Sequence, residues 1–174
     1  MKEKKKLSTE MLVIVAMMIA LHVVLSSFVS INAWNMKIGL AFLPVFITAY
    51  LYGPWAAVLV GALGDFLGAI LFPIGPYFPG FTLTCALTGL VFGLLLYKKQ
   101  TPALIAAAVA IDQLVIACWL TPYWISILYG SPYWPLVVSR FLQIGVMIAL
   151  EFVVILLMSR VMDRAHIKKK YANR

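Results

Sequence analysis

The chain has 174 residues, of which 64% are hydrophobic and only 11% charged, with a mean hydropathy of +1.00. Soluble domains carry about one quarter charged residues, so this chain lacks the polar surface needed to enclose itself in water. Its formal charge of +8 does not point to nucleic acid, because the basic residues flank apolar runs and do not lie along a polar face or among stacking aromatics.

A bilayer core of roughly 30 Å takes ~20 helical residues, since each adds about 1.5 Å and the backbone has no water to bond there. Six stretches meet this requirement: Ser8 to Ser27, Met36 to Tyr52, Pro54 to Phe72, Phe81 to Tyr97, Pro102 to Trp124 and Leu136 to Met162. The expected fold is an all-α integral membrane protein with six transmembrane helices, a single membrane domain over residues 1–174 with short basic tails. The first apolar run, Leu12 to Phe28, lacks a small-x-small cleavage site and reads as a retained span. It contains His22, read as a polar packing residue. It also contains Ala16-Met17-Met18-Ile19-Ala20, a small-residue face that would either pack within the fold or receive another subunit.

The second and third spans are divided only by Gly53-Pro54, which predicts a tight hairpin. Gly64-x-x-x-Gly68 and Gly89-x-x-x-Gly93 predict close helix packing inside the fold. Cys85 and Cys118 lie in apolar segments with no metal or redox spacing, and read as small hydrophobes.

Lys and Arg collect on the cytoplasmic side of membranes. With the amino end inside, Lys2, Lys4, Lys5, Lys6, Lys98, Lys99, Arg160, Arg164, Lys168, Lys169, Lys170 and Arg174 are all cytoplasmic, 12 of the 14 basic residues. An even number of spans is needed to keep both basic tails on one side, so both termini are expected in the cytoplasm. The outward connections are then Ser26 to Asn35, Phe72 to Gly80 and Thr121 to Pro135, and they hold Trp34, Tyr77, Phe78, Tyr123, Trp124, Tyr129, Tyr133 and Trp134. Interfacial belts of Trp and Tyr account for part of this. Their clustering with Asn32, Asn35 and Pro-Gly turns on one face favours a pocket for a flat or aromatic ligand.

Charged side chains inside spans are costly, by about 2.5–3.5 kcal/mol at the centre, so each calls for a partner or a role. Lys37 would either snorkel to water or meet an anion. Arg140, just inside the outer end of its helix, would offer a forked donor to a ligand carboxylate, with an internal ion pair as the alternative. Asp65 would accept from an amino-substituted heterocycle or from a neighbouring helix. Asp112 and Glu151, farther from the outer loops, read as helix-to-helix bonds. No G-x-x-x-x-G-K-[ST], G-x-S-x-G, H-E-x-x-H or paired-Cys motif is present, which argues against ATP binding by a phosphate loop and against the commoner membrane hydrolases. A membrane enzyme using Asp65, Asp112 or His22 is the alternative in a different class, and it requires those side chains to converge on one cavity.

The central block carries a resemblance. Leu43-Pro44, Tyr52-Gly53-Pro54, Gly61-Ala62-Leu63-Gly64-Asp65, Phe72-Pro73-Ile74-Gly75-Pro76-Tyr77-Phe78-Pro79-Gly80-Phe81-Thr82 and Leu87-Thr88-Gly89-Leu90-Val91-Phe92-Gly93 resemble the substrate-binding (S) components of energy-coupling factor (ECF) vitamin transporters, above all the folate-specific members. The resemblance implies an S-component fold in a bacterial cell membrane. It further implies high-affinity capture of extracellular folate by a subunit that is not itself an enzyme, with a transmembrane coupling subunit and two ATPase subunits as partners. No cofactor is expected in this chain, ATP being bound by the partners. Ala16 and Ala20 match the family's small-residue docking face, and the Tyr77 to Thr82 segment, with Pro79 and Gly80 inside it, matches its substrate side. Within that frame Trp34, Tyr77, Phe78 or Phe81 would stack on a pterin, Asp65 or Asn32 would bond its edge, and Arg140 or Lys37 would hold the glutamate end. Thr82 and Trp124 complete the candidate set, and thiamine or riboflavin relatives, which share the scaffold, are the closest alternative in substrate.

Overall fold

The computed structural model describes residues 9–33 and 36–165, and their side chains except those of residues 32, 33, 36 and 142. Trp34, the Asn32 side chain and the basic residues of the two tails thus lie outside the described residues. The described part is nearly all helical: α1 Thr9–Ser27, a two-stranded hairpin of β1 Ile31–Ala33 and β2 Met36–Ile38, α2 Phe42–Tyr52, α3 Pro54–Leu71 and α4 Pro79–Leu96. There follow α5 Pro102–Ala110, a π-helical segment Ile111–Leu120 and α6 Thr121–Tyr129, which run on as one rod, and then α7 Tyr133–Ser139 and α8 Phe141–Arg164.

Five of these helical stretches are long and apolar enough to cross a membrane, and Phe42–Tyr52 is a shorter apolar helix. Their outward sides are apolar as well: Leu94 is 65% exposed, and Leu59, Val115, Val153 and Leu157 are exposed too. Water would penalise that surface, whereas lipid tails match it.

The second expected span, Met36 to Tyr52, is corrected. Its first residues form β2, antiparallel to β1 with Ile31 opposite Ile38 and Asn32 opposite Lys37, and only Phe42–Tyr52 is helical. Pro44 gives the physical reason, because a residue without an N–H is accommodated in the first turn of a helix and not in its interior. The span ending at Trp124 is extended to Tyr129, where Gly130 closes it with a left-handed backbone, φ 65°. Pro122 is tolerated there because the π-helical register ends at Leu120 and a new α-helical turn opens at Thr121. The last span is broken at Arg140, which separates α7 from α8.

Helices α3 and α4 pack face to face along a glycine seam. A Cβ added to Gly89 would lie 2.5 Å from the Ala57 carbonyl oxygen, and one on Gly93 would collide with Pro54, while Gly61 faces the Cys85 carbonyl. Gly89-x-x-x-Gly93 therefore packs as expected. Gly64-x-x-x-Gly68 divides instead: Gly64 receives the His22 ring from α1, and Gly68 has open space before it. The core beside the seam is built from Phe46, Ala49, Tyr50, Val60, Phe92, Leu96, Ile105 and Ile155. At the end remote from the hairpin, the Tyr50 hydroxyl donates to Asp163 at 2.5 Å, tying α2 to the end of α8.

Candidate ligand-binding site

A cavity of about 550 Å³ opens among α1, the hairpin, α3, α4, the π-helical segment and α8. That volume lies within the range of small-molecule and cofactor sites. Its mouth, wall and floor differ in chemistry.

The mouth is cationic. Lys37 is exposed, and its Nζ donates to Ser26 Oγ at 2.5 Å. Arg140 is 6% exposed, and its Nη1 donates to the Ala117 carbonyl at 3.4 Å. Gln143, one turn along α8, donates from Nε2 to the Lys37 carbonyl at 2.8 Å and so fixes the hairpin to α8. Both cations line the cavity.

The wall is aromatic. Phe72, Tyr77, Phe78, Phe81 and Tyr129 line it. Helix α4 starts immediately behind them because Phe78 is extended and Pro79 supplies the first helical residue. Trp124 packs against Phe78 with ring centroids 5.7 Å apart, and its indole N–H donates to Thr84 Oγ1 at 3.1 Å. Gly80 is buried against the same pair, where a Cβ would strike the Trp124 ring at 2.5 Å. Thr82 donates to Asp65 Oδ2 at 2.8 Å and lies 3.2 Å from the Tyr77 hydroxyl. A threonine hydroxyl has one proton; with that proton on Asp65, Tyr77 is the donor to Thr82.

The floor is acidic and amide-lined. Thr88 of α4 donates to Asp112 Oδ1 at 2.5 Å. Gln113 spends both protons of its amide nitrogen on carboxylates, donating to Asp112 Oδ2 at 3.1 Å and to Glu151 Oε1 at 2.7 Å. The expected helix-to-helix bonding of Asp112 and Glu151 is present, and all four residues also line the cavity. Glu151 is 1% exposed and its Oε2 has no hydrogen-bond partner; the same holds for His22 Nδ1 and Gln143 Oε1.

Of the candidates, Lys37, Asp65, Tyr77, Phe78, Phe81 and Arg140 come together on this cavity. Pro79, Gly80, Thr82 and Trp124 do not line it but shape it from behind, by starting α4, backing Phe78 and holding Asp65. Ala16 and Ala20 are exposed on the far side of α1, in a shallow apolar groove shared with Leu67 and Leu71 of α3. Gln113, Gln143, Thr84 and Thr88 were not among the candidates. Their signal was available: each is a polar residue within an apolar span, and Gln143 follows Arg140 by three, on the same helical face.

An apolar bundle with a ligand-sized, polar-ended cavity has the build of a membrane-embedded solute-binding protein. The comparisons with known proteins give the particular family. Residues 6–163 match the family described as "ECF-type riboflavin transporter, S component", and the chain belongs to it. It is 33% identical over 162 residues to the "Folate transporter FolT" of Clostridium novyi, covering 92% of this chain and 94% of that one. It is 30% identical over 133 residues to the "Folate transporter FolT" of Leuconostoc mesenteroides, covering 75% and 71%. A "Crystal structure of FolT bound with folic acid" superposes with a TM-score of 0.82 at 29% identity, covering 87% of this chain and 93% of that chain. The chain is thus a multi-pass cell-membrane transport subunit, which sets aside the enzyme built on Asp65, Asp112 or His22.

Proposed function

We propose that this protein binds folate and acts as the substrate-capture subunit of an ATP-driven ECF vitamin transporter. The observation that carries the reading is the cavity itself, with a cationic mouth of Lys37 and Arg140 leading into a wall of Phe72, Tyr77, Phe78 and Phe81. Folate is flat and heteroaromatic at one end and a dianionic glutamate at the other, so rings and cations are both used. Riboflavin, the vitamin in the family's description, carries a neutral ribityl chain and has no carboxylate to offer the two cations. The two curated relatives, both folate transporters by name, support the same choice.

In this reading the cavity opens outward and both termini are cytoplasmic, with α2 and its hairpin as the second of six crossings. The clustering of Lys98, Lys99, Arg160 and Arg164 at the end opposite the hairpin supports that orientation. A membrane coupling subunit docks against Ala16 and Ala20, whose exposure and small size let a partner helix approach closely. Two ATPase subunits bind the ATP, in keeping with the lack of a phosphate-loop motif in this sequence. The test is purification in detergent, ultraviolet spectra of extracted ligand and titration with folate. Folate should be retained or bound in the nanomolar to micromolar range; recovery of a flavin or thiamine with no folate binding refutes the reading.

A further inference from the structure

The floor of the cavity holds a group of side chains for which neither the cationic mouth nor the aromatic wall has a use. Asp112 and Glu151 are carried by different helical elements and are joined through one amide, Gln113 Nε2, which donates to both. That amide nitrogen is saturated by the two bonds, and Thr88 is committed to Asp112. Glu151 alone has an oxygen, Oε2, with no hydrogen-bond partner, although the residue is 1% exposed and lines the cavity. A buried carboxylate oxygen without a donor is expensive to maintain, and the large majority of such groups in native proteins are satisfied.

The missing element is therefore a donor, and its place is set by the bundle. Glu151 lies 11 residues along the helix from Arg140, which at about 1.5 Å per residue puts the floor ~16 Å below the mouth. The cavity is electrically polar along that length, basic at the mouth and acidic at the floor. A ligand that is anionic at one end and donor-bearing at the other has only one favourable orientation in it.

Resting on the folate reading, we infer that Glu151, held in place by Gln113 and Asp112, is the residue that selects the heterocycle, accepting from the exocyclic amino group and adjacent ring N–H of a 2-amino-4-oxopyrimidine edge. The pterin is then inserted first and the glutamate stays at the mouth. Asp65 is displaced from the role the sequence suggested for it. It already accepts from Thr82 in the Tyr77–Thr82 chain, and it stands in the wall, six residues from the end of α3.

The test uses the full chain in detergent with three ligands: folate, pteroate, which lacks the glutamate, and a folate analogue lacking the 2-amino group. The wild-type protein should bind the 2-desamino analogue about ten- to hundredfold more weakly than folate, the range for loss of a hydrogen bond to a charged group. Glu151→Gln should weaken folate and pteroate by the same factor, and should weaken the 2-desamino analogue less, because one of the two bonds made to the carboxylate is already missing there. Equal wild-type affinity for folate and its 2-desamino analogue overturns the assignment without any variant having to fold. A variant that loses all three ligands equally, or none, overturns it too. In both cases the folate reading survives as long as wild-type folate binding is seen; its absence in the wild type removes both.

Discussion

Replacing Arg140 with alanine separates the two ends of the ligand. The guanidinium is 6% exposed and lies at the cavity mouth, so a ligand carboxylate meeting it exchanges little water for a charge-assisted, two-pronged contact. Hydrogen bonds to charged groups are worth about 1.5–3 kcal/mol, which corresponds to roughly ten- to 150-fold in affinity. The lower part of that range is expected, because Lys37 remains at the same mouth to hold the anion. Isothermal titration of the detergent-purified protein with folate and with pteroate reads the effect. Folate should weaken by about tenfold or more while pteroate changes little. Arg140→Lys should fall between, keeping the charge but losing the fork. Because Arg140 also donates to the Ala117 carbonyl, thermal unfolding of each variant accompanies the titration. Equal losses for folate and pteroate would show that Arg140 supports the bundle and does not touch the glutamate.

Further outcomes follow from the packing. Ala16→Trp should abolish folate uptake in cells while detergent-phase folate affinity stays within about twofold; uptake at the wild-type rate removes Ala16 from the docking face. Gly93→Val places a branched side chain against Pro54 and should cost about 1–3 kcal/mol, read as a lowered unfolding temperature in detergent. Trp124→Phe removes the indole donor to Thr84 but keeps a ring behind Phe78. It should weaken folate modestly, by about two- to tenfold, and an unchanged affinity would mean that Trp124 does not set the position of the wall. Tyr50→Phe breaks the bond to Asp163 at the far end, and is expected to lower stability by about 0.5–1.5 kcal/mol without altering folate affinity.

Hydropathy located the spans because burial in lipid demands long apolar runs whatever their internal geometry. Pro54 and Gly53 gave the start of α3 correctly, since a proline at the first helical turn after a glycine with φ 88° is local chemistry. The same measure is blind where conformation changes within an apolar run. Met36 to Ile38 adjoins an apolar run and pairs as a strand, and the π-helical stretch Ile111–Leu120 differs from its neighbours in hydrogen-bond register. The site was legible in part for a related reason. Charged residues in spans are rare enough to single out, so Lys37, Asp65 and Arg140 were visible, and each lines the cavity. Neutral amides and hydroxyls in the same spans carry less warning, and what Gln113 bonds became clear only when the fold brought α8 to its side. Pro79 and Gly80 belong to the motif for the backbone and close packing they permit, a role that side-chain chemistry does not reveal.

The bridge through Gln113 also bears on how the chain is made. Asp112 enters the bilayer on the fifth long apolar stretch of the sequence and Glu151 on the sixth, and an aspartate at mid-membrane costs about 2.5–3.5 kcal/mol while it is alone. Neither carboxyl has the other's side of the bridge until both stretches are in place. Helix α8, with Arg140 at its start, brings Gln143 and Glu151 together, so mouth and floor are completed in one event. A nascent chain stopped before Arg140 would have Lys37 at the mouth and Asp112 at the floor but neither Arg140 nor Glu151, and both ends would be completed together when α8 arrives.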